Sequence, residues 1–161
     1  MYKRQLLSSV ISAYGEPELG EITRETKPEK KQQNISKKNY HLITNEKEID
    51  EWINEAEEAG ELAIDTETSS LDAHQADLVG ISLSTKIGKA CYIPIGHKFK
   101  GCLKKEAVIK KLKPLLEDKS VKKIGQNIKF DFIVLFKQGI DMNSMEDTML
   151  MSYVLDAGKN R

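Results

Sequence analysis

Long apolar runs are missing from this chain of 161 residues. The longest are a few residues, and a membrane-spanning helix needs about 20. The first residues lack the charged-then-apolar pattern of a secretory signal. A cytoplasmic location and no membrane partner are therefore expected. Cysteine is scarce too. Cys91 and Cys102 stand in no metal-type spacing and read as reduced thiols, which excludes a disulfide scaffold. The three histidines, His41, His74 and His97, form no ligand pattern. Internal repeats are absent, and so is net charge, which is formally +0. What remains is the composition of a soluble globular domain, 39% hydrophobic and 31% charged.

Zero net charge conceals an asymmetry. Residues 45–77 carry 12 acids and one base, Lys47. Residues 98–129 carry 11 lysines against three acids, Glu106, Glu117 and Asp118. Such a pairing suits a site that takes both cations and a polyanion. Two solvated helix faces would give the same pattern. Lys98, Lys100, Lys104 and Lys105 could steer a polyanion or simply be solvated.

Residues 15–39 are polar, hold two of the prolines and have almost no apolar side chains. Residues 1–39 are therefore expected to be a flexible linker after an upstream region, with a short helix possible at 5–14. The domain proper begins near Tyr40 with a strand, 40–44. Asn45 with Glu48 forms a capping box, and Gly60 a stop, for a helix whose one face carries Ile49, Trp52, Ile53, Ala56 and Ala59. On that face Trp52 reads as packing. Strands are predicted at 62–67, 78–84 and 90–95, the last two joined by a hairpin at 85–89. A helix over 104–117 follows, with Pro114 in its last turn or kinking it. Then come a strand at 121–125, a helix at 130–139 and a helix at 144–155 opened by Ser144 and Asp147. This order predicts an α/β domain with a mixed sheet.

One strand carries the chemistry. In LAIDTETSSLD (62–72), Asp65 and Glu67 are two apart and so project from the same face, with Thr66 opposite. Two carboxylates that close repel. A hard divalent cation such as Mg²⁺ or Mn²⁺ removes the conflict. Two such ions about 3.5–4 Å apart stabilise both oxygens of a phosphoryl transfer. An exposed strand end would also tolerate the pair. A third acid bears on the choice. IGQNIKFD (124–131) sets Asp131 at a helix start inside the apolar run FDFIVLF. A buried acid there wants a cation, although the helix macrodipole could also account for it.

AIDTETSSLD, LVGISLS, ACYIPIGH, KLKPLLED, IGQNIKFD and DTMLMSYVL, in that order from Tyr40 to Arg161, together resemble the 3′–5′ exonuclease (proofreading) domain of bacterial DNA polymerase I. The resemblance implies a ribonuclease H-like mixed sheet flanked by helices. It implies two-metal hydrolysis of the 3′-terminal phosphodiester of single-stranded DNA by a DEDD exonuclease, named for four acids in three motifs. Asp65 and Glu67 match the first motif and Asp131 the second, all as catalytic metal ligands. Leu71 matches a leucine that packs on the terminal base, though ordinary core would explain it as well. Asn127 matches a residue near the terminal nucleotide. Gln126 supports that loop, and Thr66 is close enough to offer its backbone to the substrate.

The resemblance also implies a third motif, a tyrosine followed four residues later by an aspartate, several tens of residues past Asp131. Tyr153 has Ala157 at that spacing and does not match, and Asp147 and Asp156 are no substitutes; Asp147 reads as a helix cap. Residues 40–161 are thus expected to be the N-terminal part of the domain, incomplete at the C-terminus and weakly active or inactive alone. A polymerase domain in cis and a monomeric protein are expected. A catalytically silent scaffold or DNA-binding domain, and a DEDD ribonuclease, are the alternatives.

Overall fold

The computed structural model describes residues 39–98 and 100–155. The expected linker, Asn39 apart, and the expected helix at 5–14 lie outside the described residues. Strand β1 (Tyr40–Leu42) leads into helix α1 (Glu46–Ala59). Asn45 is extended and its side chain accepts from the Lys47 N–H, while Gly60, at φ +69°, closes the helix by donating to the Ala56 carbonyl. That left-handed stop is open to glycine at little cost. Ile49, Trp52 and Ala56 are buried along one face, as their spacing requires.

Three strands follow: β2 (Glu61–Thr68), β3 (Leu78–Lys86) and β4 (Lys89–Pro94). Lys86 pairs with Lys89, so only Ile87 and Gly88 turn the chain, with Gly88 at φ +80°. Then come α2 (Lys105–Glu117), β5 (Lys122–Gly125), α3 (Ile128–Phe136), β6 (Met145–Asp147) and α4 (Thr148–Leu155). Pro114 sits in the last turn of α2.

The sheet order is β1-β4-β3-β2-β5-β6. Strand β2 is antiparallel to β3 and parallel to β5, and β1–β4 and β5–β6 are also parallel. The expected mixed α/β sheet is therefore present. Along β2, Leu62, Ile64 and Thr66 are buried while Ala63, Asp65 and Glu67 are exposed. The buried set joins Ile81, Leu83, Cys91 and Ile93 and the apolar sides of α1, α2 and α3 in one core. Each fully buried leucine or isoleucine contributes about 1.5–3 kcal/mol.

One element departs in type from the sequence reading. The single helix expected over 144–155 is a strand, β6, followed by a helix that starts at Thr148. Ser144 is not its cap: it is left-handed at φ +52°, and its hydroxyl donates to the Lys119 carbonyl. Its own carbonyl accepts from the Lys123 N–H, which turns the next three residues into the sheet edge. A few of the charges are paired between elements. Lys111 of α2 pairs with Asp50 of α1, Lys122 with Glu146, and Lys86 and Lys89 with Glu55. Lys123 is fully buried and donates to the carbonyls of Asp118 and Val121.

Candidate active site

The alternation of β2 builds the first half of the site. Asp65 stands opposite Ser82 of β3 and Glu67 opposite Gly80, both on the exposed face. The register shifts between Glu67 and Thr68, and an irregularity there bends the strand end. The chain leaves in a loop tied at its base, where Ser69 N–H donates to the Asp77 carbonyl and the Ser69 hydroxyl accepts from Asp77 N–H. At its tip Leu71 is 98% exposed, so the reading as ordinary core is wrong. Thr66, Glu67, Thr68, Ser69, Ser70, Leu71 and Phe130 line a groove of about 410 Å³.

The second half comes from α3. Asp131 lies in its first turn and is 2% exposed. Its Oδ1 accepts from the Thr66 N–H (2.8 Å) and from the Thr66 hydroxyl (2.6 Å). The third acid therefore grips the residue that lies between the first two. Burial pushes the Asp131 carboxyl above the usual carboxylate range; the Thr66 bonds oppose this and the Asp65 charge adds to it. Because the Thr66 N–H is committed to Asp131, Thr66 cannot offer that donor to a substrate.

Gln126 and Asn127 form the loop between β5 and α3. Asn127 precedes the helix at φ +56°, a left-handed conformation asparagine tolerates better than most residues. Its N–H donates to Asp147 Oδ1 at 3.0 Å. The Thr148 hydroxyl lies 2.6 Å from Gln126 Oε1 and 3.1 Å from the Gly125 carbonyl. A groove of about 540 Å³ runs from Asp65 past Ala63, Ser82 and Ser84 to Gln126 and Thr148.

Sequence reasoning missed the wall beside Glu67. The Tyr92 hydroxyl is 2.6 Å from His97 Nε2. A Cβ on Gly80, the cross-strand partner of Glu67, would fall 2.0 Å from that hydroxyl. A side chain at position 80 would displace the tyrosine ring that crosses there. Burial, then the Glu67 charge, pushes the Tyr92 hydroxyl above its usual range. Only a tyrosine spaced two from Pro94 on the exposed face of β4 could have signalled this. His97 is exposed. Lys98, Lys100 and Lys104 are exposed as well, in the segment after β4.

Among the described residues, no three His, Cys, Asp or Glu side chains form a ready-made metal cluster. Asp131 is turned onto Thr66, whereas Asp65 and Glu67 face solvent and can change rotamer. Three hard carboxylate donors, one buried against its own preference, nonetheless have the chemistry of a Mg²⁺ or Mn²⁺ site.

A mixed sheet with two acids on an inner strand and a third on the helix after β5 is a ribonuclease H-like arrangement, and the chain shares this fold with known nucleases. Residues 40–160 match the family model described as 3′–5′ exonuclease, and the chain belongs to that family. It is 41% identical to DNA polymerase I of Pseudomonas aeruginosa over 76% of its own length, and 45% identical to that of Rhizobium leguminosarum over 68%. It spans 14% and 13% of those two proteins. Brucella melitensis NrnC is 26% identical with a TM-score of 0.56, covering 76% of this chain and 54% of that one. NrnC has also been solved with bound Mg²⁺ and bound to pGG. Trypanosoma brucei RNase D, 14% identical at a TM-score of 0.62 over 74% of this chain and 36% of its own, shares the fold. No helix among the described residues is long and apolar enough to cross a membrane.

Proposed function

We propose that these residues are the proofreading part of a bacterial DNA polymerase I, removing the terminal nucleotide from a single-stranded 3′ end of DNA. The observation that carries this reading is the arrangement on β2: Asp65 and Glu67 exposed side by side, with buried Asp131 bonded to the Thr66 between them. The relatives at 41% and 45% identity, both DNA polymerase I, support the substrate and a polymerase domain in cis. A monomeric cytoplasmic protein goes with this reading.

Asp65, Glu67 and Asp131 would hold two divalent ions, Mg²⁺ or Mn²⁺; the Mg²⁺-bound NrnC structure supports the first. When bound, such ions lower the pKa of a water and offset charge on the phosphate under attack. The chain's own residues supply position. Thr66 fixes the Asp131 carboxylate through two bonds. Leu71 presents an apolar surface to the terminal base, and Gln126 lines the groove that would take the last nucleotide, with Asn127 next to it in the loop. A tyrosine and a fourth acid, which the family resemblance calls for, have no match among these residues. Residues 1–161 alone are accordingly expected to be weakly active or inactive.

The test is Asp65→Ala in the full-length protein, which we expect to abolish Mg²⁺-dependent trimming of a single-stranded DNA oligonucleotide. Trimming at the wild-type rate would remove Asp65 from the chemistry. A wild-type protein that degrades RNA in preference to DNA would instead be a DEDD ribonuclease. One that binds DNA without cutting it would be a silent scaffold.

A further inference from the structure

We infer that Asp147 and Thr148 are positioning residues for the substrate: they hold the Gln126–Asn127 loop in the shape that meets the terminal nucleotide. This rests on the reading of that loop as part of the nucleic-acid site. Asp147 is more than a helix cap. Its Oδ1 accepts from Met149 N–H at 2.9 Å, which caps α4, and from Asn127 N–H at 3.0 Å, which does not. One carboxylate oxygen thus ties the start of α4 to the start of α3.

Asn127 needs such a tie. It is one of two non-glycine residues with positive φ among the described residues, and left-handed backbone is disfavoured for a residue with a Cβ unless something holds it. Its N–H points away from its own helix, toward Asp147. The adjacent tie is Thr148, whose single hydroxyl proton is shared between Gln126 Oε1 and the Gly125 carbonyl. Strand β6 makes both ties possible. It runs parallel to β5 with Gly125 in register with Asp147, so the residues after Gly125 and the residue after Asp147 leave the sheet together. Substrate would meet Gln126 and Asn127, and Asp147 acts only through them.

Capping and positioning separate by side-chain length. Serine at 147 can still cap α4 but is one atom too short to reach Asn127 N–H. Asparagine at 147 keeps an acceptor for both. Thr148→Val removes the other tie without touching the cap. In the full-length protein we expect Asp147→Ser and Thr148→Val each to raise KM for a single-stranded DNA oligonucleotide about tenfold with kcat within about twofold. The same loss should appear in the Kd for that oligonucleotide in EDTA. Asp147→Asn should restore wild-type KM, whereas Asp147→Ser, which keeps only the cap, should not. Asn127→Ala serves as the reference. If it raises KM while Asp147→Ser and Thr148→Val do not, the positioning role is refuted and the reading of the loop stands. If Asn127→Ala also leaves KM unchanged, both fall. A fall in kcat at constant KM in Asp147→Ser would refute the role as well.

Discussion

Leu71→Ala separates fold from function more cleanly than any other change in this site. The side chain is 98% exposed at the tip of its loop, so its removal deletes almost no folded-state contact. Stability should change by no more than about 0.5 kcal/mol. By contrast Leu112, at 0% exposure in the same domain, should cost about 2–5 kcal/mol on truncation to alanine. If a terminal base covers Leu71, binding should suffer where stability does not. Leucine to alanine removes three carbons, worth ~2.4 kcal/mol at ~0.8 kcal/mol each if wholly covered. A base lying against one side covers about half, which leaves ~1.2 kcal/mol, or about an eightfold weaker Kd. The assay is fluorescence anisotropy of a labelled single-stranded oligonucleotide with the full-length protein in EDTA, paired with urea unfolding. An affinity within twofold of wild type would refute the contact with the base. An unfolding midpoint lowered as far as that of Leu112→Ala would refute the exposed position itself.

Asp131→Asn probes the buried acid without metal. Its raised folded-state pKa means that, between the ordinary carboxylate value and the raised one, the folded chain keeps a proton that the unfolded chain has lost. This contribution to stability therefore falls as pH rises through that window, and its penalty is complete above the folded pKa. With chelator at pH 7, the asparagine variant, which still accepts from Thr66, should melt at or above the wild-type temperature. Below the ordinary carboxylate range the two should converge. A variant that melts lower at pH 7, with the gap closing in acid, would reverse the sign. Thiol chemistry tests the core: burial pushes the Cys91 thiol up to about 12, while Cys102 is half-buried. Iodoacetamide should therefore modify Cys102 in the native protein and Cys91 only after unfolding, as read by peptide mass. Early modification of Cys91 would contradict the packing of β4.

Much of this structure is local enough to be read from sequence. Asn45 and Gly60 bound α1 because caps and left-handed stops act within one turn. The alternation from Leu62 to Thr66 fixes which side of β2 is buried, and so fixes Asp65 and Glu67 outside it. What could not be read is what closes over long separations. Strand β6 is three residues long, too short for any period to register, and exists because β5 accepts it as a parallel neighbour. The grip of Asp131 on Thr66 spans 65 residues and that of Asp147 on Asn127 spans 20.

These two grips also show why the directions of the acids could be read while their partners could not. Spacing reports which way a side chain points, but not what meets it there. Thr66 is read from sequence as offering its backbone to the substrate, yet its side chain points inward, away from Asp65 and Glu67. Pointing inward is how it meets α3, and with both its N–H and its hydroxyl on one oxygen it fixes where the third carboxylate lies. The charge asymmetry shows the converse. It is visible over tens of residues, yet it does not say which charges meet: Asp50 pairs with Lys111, whereas Lys122 pairs with Glu146 from outside the acidic segment. Long-range charge patterns are screened and shared, whereas a buried carboxylate with two donors on one oxygen is neither. The position of the Asp131 carboxylate is set by a few short contacts around Thr66, not by the sign of the segments that flank it.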